Sequence, residues 1–279
     1  MGLARPRRSV DGGPRPPSHE PSGGVLVSVL GVICCEVLEL EFAYLLASDR
    51  ELARITVLED GRSERLLSSL GAQGLPGVER ISTLGEFVPH GHGQPEALVR
   101  VLELGLHIWP QKLRTALVQA AEEMAPRVDA LVLGYGLCGN ALEAPSTLLS
   151  HLGVPVFLPM NEDHPVDDCI GLLIGGRERY YAEQCKVAGT FFVTPGWAYH
   201  WRRLLDQEMG GVSLEMARRM FQHYARTLLI SNPVMSDQEM QESIQEFVDT
   251  FGFRIEACQG TISILQTTWQ EARDSLHPH

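Results

Sequence analysis

Three cysteines stand at places in the sequence where a thiolate could do chemistry. Cys35 follows an apolar run that ends at residue 33, and a helical segment begins directly after it. Cys138 follows the apolar run 130–136, and Cys169 follows a polar loop at the start of another helical segment. The N-terminus of a helix lowers the pKa of a nearby thiol, and the resulting thiolate binds metals and attacks electrophiles. These positions predict a working site built from cysteine thiolates.

The segments between the cysteines predict how they are brought together. Short apolar runs alternate with longer amphipathic stretches, a pattern typical of strands buried on both faces and the helices that cover them. The order predicts an α/β fold with a mostly parallel sheet and helices on both faces, of the three-layer, doubly wound type. Because the carboxyl ends of parallel strands share one edge of a sheet, the three cysteines can meet there. We predict strands at residues 25–33, 54–58, 130–135, 155–159, 190–194, 228–231 and 261–266, and helices near residues 36–48, 95–106, 110–124, 141–151, 167–184, 198–207, 213–225 and 236–250.

The domain organisation follows from the same pattern. We predict a single α/β domain over residues 24–268, with a possible division into two lobes near residue 185. Residues 1–23 are rich in proline and predict a disordered N-terminal tail, and residues 269–279 predict a short C-terminal tail. The segment 71–95 is rich in glycine and proline, which predicts a long interior loop, either a lid or a connection.

The composition excludes several classes of protein. The formal net charge is −12, and beyond the first eight residues no cluster of Lys and Arg interrupts the acidic excess. Nucleic-acid binding and docking on anionic lipid both need a basic surface, so we expect neither a nucleic acid nor a membrane as partner. Six cysteines are too sparse for a disulfide scaffold, and no apolar run approaches the roughly 20 residues of a membrane span. Without the features of an export signal, the chain is expected to be cytoplasmic, with reduced thiols.

Two histidines could complete a metal site with the cysteines. His107 lies just before the helix predicted to begin near residue 110, and His164 lies in the polar loop before Cys169. Three thiolates and one imidazole suit zinc, which binds both ligand types in a tetrahedron. We therefore predict a zinc site, with His164 as a rival to His107. The predicted metal ligands are Cys35, His107, Cys138 and Cys169.

The remaining cysteines are weaker candidates. Cys34 stands beside Cys35 and its participation stays open. Cys185 and Cys258 are not flanked by a turn between a strand and a helix, and a buried cysteine usually behaves as a small apolar side chain. We expect both of them to pack in the interior.

Other chemistries fit the same residues. Three cysteines can hold an iron–sulfur cluster with one labile iron. The sharp turn at Cys138 is similar to a nucleophile elbow, so Cys138 could be the nucleophile of a hydrolase or transferase, with His107 or His164 as base. A metal-binding scaffold or delivery protein without catalysis is also open, so the sequence does not decide whether the chain is an enzyme.

Glycines in the same turn leave a dinucleotide-binding oxidoreductase as a further alternative. Gly134, Gly136 and Gly139 give the spacing G-x-G-x-x-G after a predicted strand. Glu162 and Asp163 follow at about the distance of the ribose-binding acid, roughly 20 residues on. In such a site the glycine turn would hold the pyrophosphate of a nicotinamide or flavin cofactor.

Longer motifs around the cysteines resemble a known family. Residues 134–140 (GYGLCGN) and 165–170 (PVDDCI) are similar to those of the bacterial and archaeal proteins grouped as domain of unknown function 1638. The resemblance continues at residues 175–180 (GGRERY) and 189–197 (GTFFVTPGW), and covers roughly residues 25–268. The positions of this chain that match the family's motifs are Cys35, His107, Cys138 and Cys169.

The resemblance implies a metabolic setting but no mechanism. Members of the family often accompany corrinoid-dependent methyl-transfer systems, which implies one-carbon metabolism and a corrinoid or methyltransferase protein as partner. Many members carry a histidine two residues before the cysteine that corresponds to Cys169, whereas this chain has Asp167 there. We expect Asp168 to orient the site without binding the metal, and Arg177 to be able to bind an anionic substrate. Both are candidates for catalytic roles, together with Cys138.

Overall fold

The bounds of the helices and strands come from a computed structural model that describes residues 28–75, 77–90, 93–142 and 145–276. The predicted N-terminal tail, residues 1–23, lies outside these described residues. The strands are β1 Val29–Cys35, β2 Arg54–Leu58, β3 Val78–Ile81, β4 Glu96–Leu102, β5 Ala130–Gly134, β6 Val156–Phe157, β7 Met160–Asn161, β8 His164–Pro165, β9 Thr190–Val193, β10 Arg226–Ser231 and β11 Arg254–Gln259. The helices are α1 Glu39–Ser48, α2 Glu64–Ala72, α3 Pro110–Met124, α4 Pro145–Leu148, α5 Cys169–Ile174, α6 Arg177–Lys186, α7 Pro195–Met209, α8 Leu214–Phe221, α9 Asp237–Phe251 and α10 Ser263–Asp274.

Two parallel sheets organise the molecule. The first has six strands in the order β3-β2-β4-β1-β5-β6, and the second has three in the order β11-β10-β9. A short antiparallel pair, β7 and β8, lies apart from both sheets. The predicted α/β class, with a mostly parallel sheet covered by helices, is confirmed. The residue-185 boundary falls between the last strand of the first sheet and the first strand of the second. In the described part of the chain, no helix combines the length and the apolarity needed to cross a membrane.

The strand β4 corrects one sequence prediction, because residues 95–106 were expected to form an amphipathic helix. β4 instead lies between β1 and β2 in the middle of the first sheet. Its charged side chains have partners: Arg54 Nε donates to Glu96 Oε2 at 2.9 Å, and Arg100 Nη1 donates to Glu123 Oε2 at 2.6 Å. Since each charge is paired with an opposite one, a central strand tolerates a segment whose polar residues fall at helical spacing.

The end of the chain corrects a second prediction. Residues 261–266, expected to form a strand, contain the start of α10, and the third strand of the second sheet is β11 instead. β11 pairs with β10 alone and is only partly covered, so it lacks the continuous apolar run on which the prediction relied. Helix α10 extends beyond residue 268, where the C-terminal tail was expected to begin, because Trp269 and Ala272 are buried against the core.

The interior segment 71–95, expected to be a loop, is partly regular. It contains the end of α2, the edge strand β3 and the short 3-10 helix Leu84–Glu86. β3 pairs in parallel with β2, so this segment extends the first sheet at its outer edge. The carboxyl end of β3 meets the carboxyl end of β2, with Leu58 opposite Ile81.

The two sheets are joined by a close contact between backbones. Thr194 follows β9 and caps α7, its Oγ1 accepting a hydrogen bond from the Trp197 N–H at 3.3 Å. The next turn of α7 rests on the backbone that leaves β1, and a Cβ at Gly196 would lie 1.8 Å from the Val37 carbonyl oxygen. Helix α10 then returns to pack on β5 and β6, so residues of both sheets share one apolar core.

The Gly196 contact can be tested by adding a methyl group. Gly196→Ala forces the helix away from Val37, and overpacking of this kind costs about 1–3 kcal/mol or more of unfolding free energy. The matched control is Gly71→Ala in α2, where a Cβ meets no atom within 4 Å and the change should stabilise the helix by about 0.5–1 kcal/mol. Urea denaturation of the two variants measures both effects, and a Gly196→Ala variant as stable as wild type would contradict the described contact.

Candidate functional site

A cavity of about 480 Å³ lies between the carboxyl edge of the first sheet and strand β9 of the second. This volume is within the range of small-molecule sites in proteins. Cys35, Cys138 and Cys169 line its first wall, and aromatic side chains on or near β9 line the opposite one. His107 also reaches this cavity. The structure therefore brings all four residues predicted as metal ligands to one space.

Cys35 reaches the cavity because it is the last residue of β1. In the register of the sheet it stands beside Leu102 at the end of β4, and the preceding residue, Cys34, stands beside Gly134 at the end of β5. Cys34 is fully buried, and a Cβ at Gly134 would lie 2.8 Å from the Cys34 Cβ and 2.3 Å from Phe42. Gly134 is thus required for packing, and Cys34 belongs to the core and not to the cavity lining.

Cys138 is held by backbone hydrogen bonds to the loop that leads to Cys169. The Leu137 N–H donates to the Val166 carbonyl at 2.8 Å, and the Cys138 N–H donates to the Asp167 carbonyl at 2.8 Å. The two backbones approach so closely that a Cβ at Gly136 would lie 2.5 Å from the Val166 oxygen. Gly136 is therefore required where these two loops meet.

The turn at Cys138 adopts an unusual backbone conformation. Cys138, Gly139 and Asn140 have φ angles of 45°, 67° and 67°, so three consecutive residues are left-handed. A residue other than glycine in this region costs on the order of 1–3 kcal/mol, and such strain concentrates at functional sites. The strain fixes the direction in which the Cys138 side chain leaves the backbone.

This turn differs from a dinucleotide-binding loop. Residues 140–142 continue as a turn, and the next helix, α4, begins only at Pro145 and has four residues. A pyrophosphate site of the predicted type needs a helix N-terminus directly after the last glycine, Gly139. Glu162 and Asp163 line a second cleft and do not lie with the glycine turn.

Cys169 is the first residue of α5. Asp168 caps this helix, its Oδ1 accepting a hydrogen bond from the Gly171 N–H at 2.8 Å. Asp168 also lines the cavity. The carboxylate expected to orient the site therefore fixes the start of the helix that carries Cys169, and leaves its second oxygen free for other partners at the cavity wall.

The three thiols are electrostatic neighbours in a poorly hydrated place. Burial raises the pKa of Cys35 to about 11 and that of Cys138 to about 12, and Cys35 adds to the rise at Cys138. Burial also raises the pKa of Cys169 well above its usual value, and Asp168, Cys138 and Cys35 raise it further. The thiols are neutral at neutral pH without a cation beside them, which argues against Cys138 as a thiolate nucleophile in the metal-free chain.

The thiols line one wall without forming a closed ligand set in this structure. Among the described residues, no group of three His, Cys, Asp or Glu side chains is arranged so that it could hold a metal ion. Tyr135 lies close to these cysteines, and its hydroxyl interacts with the Cys35 thiol. This hydroxyl is buried and has no partner within hydrogen-bond geometry among the described residues. The three cysteines therefore share one cavity lining.

His107 occupies the rim of the cavity. It is exposed, lies in the short 3-10 helix Leu106–Ile108, and interacts electrostatically with Glu208 of α7. Burial raises the pKa of Glu208 and the His107 charge lowers it. The predicted ligand thus faces a carboxylate across the cavity mouth.

The other sequence candidates lie in a separate cleft beside α5 and α6. Arg177 Nη2 donates to Asp167 Oδ1 at 2.8 Å and Arg177 Nε donates to Asp167 Oδ2 at 3.1 Å, so this guanidinium is already bound to a carboxylate. His164 is exposed and lies 3.6 Å from Asp163. Both line the second cleft, and neither joins the cysteines.

A row of buried carboxylates behind Cys35 was not anticipated from the sequence. Glu39 Oε1 lies 2.7 Å from His200 Nε2, and Glu41 Oε1 accepts a hydrogen bond from Asn232 Nδ2 at 2.9 Å. The second oxygen of each carboxylate is buried without a partner among the described residues. The available signal was the placement of glutamates on an otherwise apolar helix that follows a buried strand.

The chain is similar in sequence to a known protein family. Residues 101–269 match the family described as Protein of unknown function (DUF1638), which is more than half of the chain. The chain belongs to this family. The matched region contains His107, Cys138 and Cys169, and it begins after Cys35, so it is shorter than the range over which the motifs resemble the family. No curated protein matches the chain.

Glu41 gives a pH dependence that can be measured. Burial raises its pKa to about 7 from an ordinary 4.5, so the folded chain binds a proton between these values that the unfolded chain releases. Stability is therefore lost as pH rises from about 4.5 to 7, by about 3 kcal/mol. Chemical denaturation at pH 5 and pH 8 should show this loss in wild type and less of it in Glu41→Gln. An unchanged pH dependence in the variant would assign the loss to other groups, such as Glu39.

Proposed function

We propose that the chain is a thiolate–metal protein, an enzyme or an accessory protein, whose metal is held by Cys35, Cys138 and Cys169, with zinc favoured. The observation that carries the proposal is the convergence of three thiols, from the end of β1, the turn after β5 and the start of α5, on one cavity. Side chains so far apart in sequence need a specific contact to hold them at one cavity wall. The hydrogen bonds between the two loops that meet at Gly136 provide this contact for Cys138 and Cys169.

The donor set fits a soft cation. Thiolates select zinc and iron–sulfur clusters among biological metals. Each thiol is raised in pKa by burial and by its acidic neighbours, and a bound cation reverses both effects because it replaces the thiol protons. No Lys or Arg is found among the described residues that line the cavity.

A metal held by these three cysteines would supply a Lewis acid for activating water or a thiol. The residues of the chain prepare this site. Asp168 fixes the start of α5 and with it Cys169, while the strained turn fixes Cys138. His107 and Glu208 stand at the mouth, where they can hold or pass a proton. Aromatic side chains line the remainder of this space.

The setting of the reaction rests on the family motifs alone. We propose methyl-transfer metabolism, with a corrinoid or methyltransferase protein as the partner. An iron–sulfur cluster on the same three cysteines, or a metal-bound scaffold without catalysis, is an alternative that the metal content and the colour of the protein distinguish.

Metal binding is tested by single substitutions of the cysteines. Protein purified anaerobically should bind about one equivalent of zinc, and Cys35→Ser, Cys138→Ser and Cys169→Ser should each weaken zinc binding by at least about 100-fold, because a thiolate ligand is lost. Competition against a chromophoric chelator measures the affinity. Cobalt(II) should give the intense charge-transfer absorption of cobalt–thiolate bonds.

The control variants come from the same chain. Cys185 is exposed, so its expected packing in the interior is wrong, and Cys258 lies outside the cavity. Cys185→Ser and Cys258→Ser should therefore leave zinc affinity unchanged. His107→Ala separates a four-ligand site from a site of three thiolates. Zinc affinity that is the same in all three cavity variants as in these controls would refute the site, and visible absorption from bound iron would replace zinc with a cluster.

A further inference from the structure

We infer that the cavity selects a small organic cation with alkyl groups on its charged centre. The inference names the ligand class of the cavity assigned under the proposed function, and rests on that function only for the place of binding. Two independent features of the lining carry it: the sign of its ionisable groups and the aromatic character of its second wall.

The ionisable groups of the lining are acidic, apart from one histidine. Asp168 stands at the thiol wall and Glu208 at the mouth, and three thiols and the tyrosine hydroxyls complete the set. The histidine is His107, which faces Glu208. No Arg or Lys side chain lines the cavity within the part of the chain that the structure describes. A negative lining in a poorly hydrated space attracts cations and repels anions.

Arg177 and Arg203 do not line the cavity, and each is paired with a carboxylate. Arg177 binds Asp167 with two hydrogen bonds and lies in the second cleft, and Arg203 binds Glu36 on the other side of the chain segment that follows β1. An anionic substrate in the cavity would therefore meet carboxylates without a compensating cation. Arg177 does not line the cavity, so an anion bound by its guanidinium would lie in the second cleft.

The second wall is built of aromatic rings held by their own packing. The Phe191 ring lies 4.9 Å from that of Trp197 and 5.5 Å from that of Tyr224, and the Tyr180 ring lies 4.9 Å from that of Phe192. All five side chains line the cavity. Aromatic rings attract cations through their quadrupole, most effectively when the cation is poorly hydrated, as an alkylated ammonium is. Phe191 and Trp197 also pack against the core of the second sheet, and Phe192 belongs to the core that contains the first sheet.

The preference holds with or without a metal. Without one, the lining still carries the carboxyl side chains of Asp168 and Glu208 and, among the described residues, no Lys or Arg. A divalent ion on three thiolates carries a net charge of −1, which adds to the carboxylates. In both states the cation is the favoured occupant, so binding can be measured independently of zinc.

The test compares probes of one shape and different charge. Choline, its uncharged isostere 3,3-dimethyl-1-butanol and the anion 3,3-dimethylbutyrate are titrated into metal-free and zinc-loaded protein by calorimetry. We expect saturable choline binding that is at least about tenfold tighter than that of the alcohol, and no binding of the anion. Equal affinity for choline and the alcohol, preference for the anion, or no saturable choline binding overturns the inference.

Two matched variants on α7 locate the charge effect. Glu208→Gln removes a carboxylate at the cavity mouth, and Asp206→Asn removes one two residues away that does not line the cavity. Glu208→Gln should weaken choline binding about 2- to 5-fold and leave the alcohol unaffected, while Asp206→Asn changes neither. An equal effect of both variants would show that the preference for choline comes from the general charge of the protein. It would then refute the role assigned to the cavity lining.

Choline binding and zinc binding can fail separately. In Cys138→Ser, zinc affinity falls if the proposed function is right, and the preference for choline over the alcohol remains if the inference is right. If the protein prefers choline over the alcohol but binds no zinc in any form, only the proposed metal site is overturned. If it binds zinc but shows no preference for choline, only the inferred cation site is overturned.

Discussion

The pairing of two backbones at Gly136 is the constraint on which the site depends. The turn after β5 donates hydrogen bonds to the Val166 and Asp167 carbonyls, and this contact tolerates no side chain at Gly136. It brings Cys138, which leaves a strained left-handed backbone, next to the start of α5. Parallel pairing of β1 with β5 then supplies Cys35 from the neighbouring strand. Each thiol is thus placed by backbone geometry, which is stiffer than side-chain packing and does not need a ligand to form.

This dependence explains which parts of the site could be predicted from the sequence. Cysteines after buried strands meet at the carboxyl edge of a parallel sheet whatever the details of the helices, so Cys35, Cys138 and Cys169 were found even though β4 was mistaken for a helix. Arg177 and His164 have the right chemistry and lie close to Cys169 in sequence. His164 is the first residue of β8, in the short antiparallel pair, and Arg177 is the first residue of α6, and both line the second cleft. Proximity along the chain did not distinguish the two sides of α5.

The opposite wall could not be predicted by the same reasoning. Its residues come from β9 and α7, which enter the site only because α7 rests on the backbone near Val37. That contact depends on the absence of a side chain at Gly196, and a single glycine in a helical segment gives no sign of what lies against it. Glu208 accordingly carried no sequence pattern that marked it as a residue of the cavity. A contact between two sheets joins residues that are far apart in the sequence, whereas the end of a strand can be predicted from the residues next to it.

The proposed metal ion and the inferred organic cation are both positively charged. Both suit a cavity lining whose ionisable groups are mostly acidic. Burial raises the pKa of the Cys138 and Cys169 thiols and of the Glu208 carboxyl group, so each of these groups ionises less readily here than in water. The proposed metal ion would let the thiols ionise, and the inferred organic cation would lie against the aromatic rings. Burial without cationic side chains costs stability, as Glu41 also shows, and proteins retain such groups where a ligand offsets the cost. The family match spans His107, Cys138, Cys169 and the aromatic wall, so both walls, apart from Cys35, lie in the matched region.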